Sequence, residues 1–237
     1  MCDETRGTDH GVAMLTPSLP LVWQLNALYV DDPGAGAAEL EAEAEEVQGE
    51  FGHRKLVTHD EKLGARLAPE LSATGWNVFR LLIMVRRRPP DHGAEPGRAA
   101  EVARDQGAAA LAAFRREQPF GWQDEAVRQL AEMDERYTRV VRGRDFAAPP
   151  DRPACACRLY SDGRLGQVDE VGTLEERRGR GHARAAVLAA ADAAAAGGLE
   201  PVFLQTDASD WPQRLYRKLG FDGIGSVYEF LKLPIRA

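Results

Sequence analysis

The spacing of hydrophobic positions changes along the chain, and each change marks an element. From Leu21 to Val30 the run LVWQLNALYV reads as a strand, followed by an acidic helix from Ala37 to Phe51 and a second strand from Arg54 to His59. Glu61 to Ala73 reads as a helix stopped by Gly75, and Asn77 to Arg87 as a long strand. This βαβαβ order implies an α/β layer, because parallel strands joined by helices need both faces of their sheet covered. Residues 1–19 show no such period and carry Gly7, Gly11 and Pro17, so a flexible lead-in is expected there.

The segment Pro89 to Arg98, PPDHGAEPGR, is the strongest break in the chain. Beyond it come a short strand near Val102 and helices over Ala108 to Glu117 and Trp122 to Val141. In the second helix Val127, Leu130, Met133, Tyr137 and Val141 recur at helical spacing, as a core stripe does. After AAPPDRP, strands at Ala154 to Ser161 and Leu165 to Leu174 form a hairpin across Asp162 and Gly163. A Gly/Arg loop, an alanine-rich helix from Ala183 to Ala196, a strand from Pro201 to Thr206, a helix ending near Leu219 and a strand from Ile224 to Leu233 complete the chain. The expected division is 1–19, 20–95 and 96–237. A weak internal repeat links the last two parts: LVTHD (56–60) leading to LSATGW (71–76) parallels LQTD (204–207) leading to YRKLGF (216–221).

Composition narrows the function classes. A length of 237 residues with 44% hydrophobic and 28% charged residues fits one or two folded domains and neither a disordered nor a fibrous chain. No membrane-length apolar run occurs, since Leu81 to Val85 is cut by Arg86, Arg87 and Arg88. Asp3, Glu4 and Asp9 replace the basic start of a secretory leader, which points to a cytoplasmic protein. A net charge of -7 argues against a general nucleic-acid binder. Three cysteines complete no Cys/His ligand set, so no metal site is expected, and Cys155 and Cys157 read as small core residues. The excess of arginine over lysine, 26 against 4, is a bias of the kind a GC-rich bacterial genome produces.

Chemistry concentrates in Glu175 to Ala183, EERRGRGHA, which joins a strand to a helix. The first-turn amides of a helix lack internal partners and point outward at the positive end of its dipole, so an anion placed there is bound by backbone. Gly179 and Gly181 let that backbone approach a phosphate, and Arg177, Arg178 and Arg180 add positive charge. A dinucleotide fingerprint would need a third glycine where Arg184 stands, and no Gly-Lys-Ser/Thr of a nucleotide-hydrolysing loop occurs. A pyrophosphate-bearing ligand is the functional reading, and a basic solvated turn the bland one.

Two motifs in the right order then carry a resemblance. Arg178, Gly181 and Ala183 match the Gln/Arg-x-x-Gly-x-Gly/Ala loop of the GNAT superfamily of acyl-CoA-dependent N-acetyltransferases, and Tyr216, Gly220 and Phe221 match its Tyr-x-x-x-Gly-Phe ending. The chain resembles that superfamily over about residues 100–237. The resemblance implies a GNAT-like α/β (α+β) fold, with a mixed, mostly antiparallel sheet and helices on both faces. It also makes the βαβαβ unit over 20–95 a degenerate half-GNAT copy. Asp31 and Asp32 stand where that copy should have a phosphate loop, and they would repel a pyrophosphate. The copy would complete the sheet or wall the acceptor pocket, with dimerisation as the competing role.

The resemblance also implies roles residue by residue. Val171, Gly172 and Thr173 correspond to the strand whose backbone pairs with the pantetheine arm of acetyl-CoA, the cosubstrate, and Arg178, Gly179, Arg180, Gly181, His182, Ala183 and Arg184 to the pyrophosphate turn. Tyr216 corresponds to the tyrosine near the thioester sulfur, where a phenol can protonate the leaving thiolate. The attacking amine must also lose a proton, and Gln205, where some relatives carry a glutamate, cannot accept one. Asp169 and Glu170 are the nearest carboxylates. As strand neighbours they should face opposite sides, so at most one enters the slot; Glu170 is the catalytic candidate, and surface charge is the bland alternative. Ser209 replaces an asparagine often found seven residues before the tyrosine, which puts coenzyme contacts from that turn in doubt. The implied activity is acetyl transfer to a primary amine of a small molecule or peptide, without nucleic acid, membrane or metal. A homodimer is compatible with it, and a non-catalytic acyl-CoA-binding module is the alternative.

Overall fold

Glu4–Gly7 (β1) and Gly11–Leu15 (β2) form an antiparallel hairpin in the computed structural model, which describes residues 2–93 and 97–233. The expected flexible lead-in over 1–19 is thus corrected: from Glu4 it is part of a sheet. Its signal is a short alternation in which Ala13 and Leu15 are fully buried while Met14 is exposed. The strand expected from Leu21 begins late, at Ala27–Val30 (β3), after a 3-10 turn at Trp23–Leu25. The cause is Asn26. Its buried side chain accepts from Thr16 N at 2.6 Å and donates to Leu19 O and Val22 O at 3.0 Å each, so the apolar run before it serves a loop instead of a ladder.

Next come Ala37–Gln48 (α1), Arg54–Thr58 (β4), Glu61–Ala73 (α2) and Asn77–Arg86 (β5), in the order the periodicity predicts. Asp60 starts α2 by accepting from Lys62 N and Leu63 N at 2.8 and 3.1 Å. The strands run β1-β2-β3-β4 and then β11 (Phe221–Lys232), with β3 and β4 parallel and the other pairs antiparallel. Leu28, Leu40, Leu56, Leu67, Leu71 and Phe230 form the centre of this core, each at most 1% exposed. Burying each such side chain contributes about 1.5–3 kcal/mol.

The rest of the strand order contains Ala100–Val102 (β6), Arg142–Ala148 (β7), Cys155–Ser161 (β8), Gly166–Thr173 (β9) and Val202–Asp207 (β10), in the order β10-β9-β8-β7-β6. Only β9 and β10 pair in parallel. Its helices are Arg104–Arg116 (α3), Asp124–Val140 (α4), His182–Ala196 (α5) and Pro212–Lys218 (α6). The sequence reading missed β7, because RGRDFAA carries three charges in seven residues and the helical stripe before it ends only at Val141. Those charges have partners, as described below. Ala185, Ala186, Ala190, Ala191 and Ala194 are buried along α5, and their small side chains let it lie close on β8 and β9, where Gly166 meets Ala194. On the opposite face, Gly107 of α3 lies against Asp145 of β7.

The chain divides into two compact units, 1–83 with 206–210 and 224–237, and 84–205 with 211–223. The C-terminal strand from Ile224 therefore belongs with the first unit, unlike the division expected from sequence, whose 95/96 boundary lies outside the described residues. Residue 1, residues 94–96 within the expected linker, and residues 234–237 are likewise outside them. The internal repeat is visible in backbone geometry: Gly75 and Gly220, equivalent in the two copies, hold φ of +90° and +93°. Among the described residues no helix is long and apolar enough to cross a membrane.

Candidate functional site

β9 and β10 pair at Gly166 with Val202 and Gln167 with Phe203, and no further. From Val168 to Thr173, β9 has only β8 as a hydrogen-bonded neighbour among the described residues. Val171, Gly172 and Thr173 stand at this open end, with Thr173 opposite Cys155 and Gly172 opposite Ala156. Gly172 carries Phe114 of α3 on its face, and a Cβ there would stand 2.4 Å from the ring. Parallel strands that part after two residue pairs leave one edge of β9 available to another extended chain.

Leu174 to Gly181 then turn the chain into α5. Gly179 and Gly181 hold φ of +73° and +78°, a conformation that disfavours any side chain, and Gly181 is the N-cap of α5. The N–H groups of residues 179–184 have no hydrogen-bond acceptor among the described residues, while the Gly181 carbonyl receives Ala185 N at 3.1 Å. Arg178 and Arg180 are exposed, and Arg178 Nε donates to Thr173 O at 3.4 Å. Arg184 donates to His92 O. Arg98, which the sequence reading did not single out, donates to Arg180 O at 2.7 Å and stands 3.7 Å from where a Gly181 Cβ would be. Burial first, and then the charges of Arg98, Arg180 and Arg177, push the His182 imidazole below its ordinary pKa. Open amides, left-handed glycines and a positive field suit a pyrophosphate.

Beside this edge the β8–β9 ladder is irregular. Ala156 pairs with Gly172 but Arg158 with Asp169, so β9 carries an extra residue there. Glu170 is in the bulge with φ +54°, alone among the described non-glycine residues in having positive φ. The bulge corrects the expectation that Asp169 and Glu170 face opposite sides: Asp169 stands opposite Arg158, which reaches Asp134, and Arg115 links that same Asp134 to Glu170. Glu170 Oε2 accepts from Arg115 Nη2 at 2.7 Å, and Asp169 Oδ1 accepts from Glu170 N at 2.8 Å. Burial raises both carboxyls above their ordinary values; for Glu170 the Arg115 charge opposes it.

Behind Glu170 the charges continue inward. Arg115 forks onto Asp134 at 2.9 and 3.1 Å, Arg158 Nη1 reaches Asp134 at 3.1 Å, and Arg158 Nε reaches Asp145 at 2.8 Å. Arg158 Nη1 also donates to Tyr160 Oη at 3.1 Å, and burial pushes that phenol up to about 12. No sequence motif announced this network, because its members are isolated charges in separate elements. The one legible hint was a charged strand, RGRDFAA, next to another charge in ACACRLY.

Tyr216 is buried on α6, with its ring edge-on to Phe221 at 6.4 Å between centroids. Cys155 and Cys157 are buried free thiols, with Cys155 pushed up to about 11 by burial. Among the described residues no group of His, Cys, Asp and Glu is arranged to hold a metal.

Residues 107–221 match the family model described as the acetyltransferase (GNAT) family. Among solved structures, the chain is similar to a functionally unknown conserved protein from Staphylococcus epidermidis ATCC 12228, at 17% identity over 97% of this chain and 93% of that one, with a TM-score of 0.74. It is also similar to a GCN5-related N-acetyltransferase from Kribbella flavida, at 21% identity over 97% and 90% with a TM-score of 0.58. A tandem GNAT protein from the clavulanic acid biosynthesis pathway aligns over all of this chain and 86% of its own, at 15% identity and a TM-score of 0.60. At such identities the likeness is one of fold. A comparison with curated proteins finds no match. The fold is mixed α/β and GNAT-like, with a further GNAT-like unit ahead of the matched region. Residues 107–221 are a domain of the acetyltransferase (GNAT) family, whose fold uses acyl-CoA.

Proposed function

We propose that the protein transfers an acetyl group from acetyl-CoA to a primary amine of a small molecule or peptide by direct attack. The observation that carries this reading is the continuity of an open strand edge, Val168 to Thr173, with a turn whose amides at 179–184 have no acceptor among the described residues. The strand edge suits the two amides of a pantetheine arm, and the turn suits the pyrophosphate at its other end. Val171, Gly172 and Thr173 would hold the arm, and Arg178, Gly179, Arg180, Gly181, His182, Ala183 and Arg184, with Arg98, the phosphates.

Glu170 takes the proton that the amine gives up as its nitrogen bonds to the thioester carbon. Tyr216 supplies a proton to the sulfur as the carbon–sulfur bond breaks, so an amide and a thiol leave and each residue regains its charge state through solvent. Calorimetry with acetyl-CoA, followed by a turnover screen over antibiotics, polyamines, amino acids and peptide N-termini, tests the reading. Binding plus CoA release with an amine is expected; absence of acetyl-CoA binding would remove it, and binding without turnover would leave an acyl-CoA-binding module.

A further inference from the structure

The Glu170 carboxylate does not stand alone at the bulge. It is the outer end of an alternating series, Glu170, Arg115, Asp134, Arg158, Asp145 and Arg104, drawn from β9, α3, α4, β8, β7 and the start of α3. Resting on the reading of Glu170 as the base, we infer that Arg115, clamped by Asp134, is a positioning residue that holds the Glu170 side chain toward the slot and keeps it competent to accept a proton.

Three observations support it. Arg115 Nη2 is shared between Asp134 Oδ1 at 3.1 Å and Glu170 Oε2 at 2.7 Å, so the position of the guanidinium, and with it that of Glu170, depends on Asp134. Glu170 holds its location with a left-handed backbone, a strained conformation of the kind that clusters at functional sites. The series is also poorly built for stability. Arg158 is fully buried, yet its Nη2 has no partner among the described residues, and an unsatisfied buried donor is destabilising. Buried ion pairs of this kind are often no better for folding than apolar side chains of the same size.

The charges facing Glu170 set opposite signs for two substitutions. Around it are Arg115 from α3, Asp134 from α4, Asp169 on β9 and Tyr160 from β8, with Arg158 of β8 one step behind on Asp134. Arg115→Gln leaves Glu170 among carboxylates and raises the pH at which it loses its proton. Asp134→Asn removes a like charge, leaves Arg115 to Glu170, and lowers that pH. A residue that only stabilises the fold would lower the melting temperature in both variants without moving a proton equilibrium in opposite directions.

The test uses the full chain with acetyl-CoA and the best amine of the screen, or water where no amine is taken, reading CoA release from pH 4 to 9. Carboxyl-carbon NMR titration of Glu170 and thermal melting accompany it. The acidic limb of kcat/KM is expected to move up by about one pH unit or more in Arg115→Gln and down in Asp134→Asn. Arg115→Lys, which keeps the charge but not the fork, should leave the limb near its place while kcat falls. If Arg115→Gln does not fold, Asp134→Asn decides the sign. A limb unmoved in both, or moved the same way, overturns the inference. An acidic limb that survives in Glu170→Gln overturns the assignment of the base itself, and that outcome differs from an unmoved limb in an enzyme whose Glu170→Gln variant has lost it.

Discussion

The molecule contains the same strand–turn–helix twice, and the two turns have opposite chemistry. After β3, Asp32 Oδ1 accepts from Gly34 N at 2.8 Å and Glu39 Oε2 from Gly36 N at 3.0 Å. Arg66 Nη2 covers the carbonyls of Pro33 and Ala35 at 3.0 and 2.8 Å. The first turn is thus satisfied by carboxylates of the turn and of α1 and by a guanidinium from α2. After β9, the amides of 179–184 have no acceptor among the described residues, two glycines are left-handed, and Arg98, Arg178 and Arg180 gather around them. Each turn leads to a helix and then to a strand parallel to the first. Two turns of shared topology therefore differ in the feature on which the proposed anion site rests: the amides are satisfied in the first and open in the second.

The largest effect that would break this contrast is Gly181→Val. A β-branched residue is strongly disfavoured at φ +78°, and coenzyme bound at a hundredfold excess over Kd stabilises a protein by about 2.7 kcal/mol. The variant should lose that stabilisation entirely in thermal melts, and a retained shift would contradict the role of the turn. Next in size, Tyr216→Phe should lower kcat by roughly tenfold to a thousandfold with coenzyme affinity nearly intact, measured by turnover and calorimetry. An unchanged kcat removes the acid role and leaves Tyr216 as a core aromatic against Phe221.

Arg98→Ala sharpens the contrast from the other side. It should weaken acetyl-CoA binding by roughly threefold to tenfold, and raise the His182 pKa, since Arg98 is the first cation after burial among the causes that depress it. Imidazole titration by NMR reads the second effect. In the first unit, His53 lies buried beside Trp23 and Phe51, and burial holds it at about 4. Its folded pKa lies below the ordinary 6.5, so the unfolded chain binds the proton first. Stability should therefore fall as pH drops from 6.5 towards about 4, by about 3 kcal/mol in all, and His53→Gln should flatten that slope in pH-dependent denaturation. The smallest effect is expected from Asp32→Asn, with acetyl-CoA affinity unchanged and stability altered by about 1 kcal/mol or less.

Apart from β1, β2 and β7, the order of elements was legible in the sequence, as were the alanine-rich helix and the cationic turn, because each has a local signal: a period, a stop residue, or glycine next to arginine. What was not legible depends on distant partners. β7 reads as polar until Asp145 meets Arg158, and the strand expected from Leu21 fails because Asn26 turns back to Thr16, Leu19 and Val22. The Asp169 and Glu170 alternation breaks at a bulge, which shifts register by one residue and takes its left-handed position at a glutamate, not at a glycine. Arg98 contributes charge from 82 residues upstream, beyond any motif.

We propose that the backbone at the start of α5 receives the diphosphate of acetyl-CoA. The most direct test is an amide NMR titration of the full chain with CoA, comparing residues 179–184 with Gly34 and Gly36. Large saturable shifts at 179–184 with none at Gly34 and Gly36 are the predicted result. Saturable binding that leaves 179–184 unmoved, or that moves Gly34 and Gly36 instead, would contradict the account.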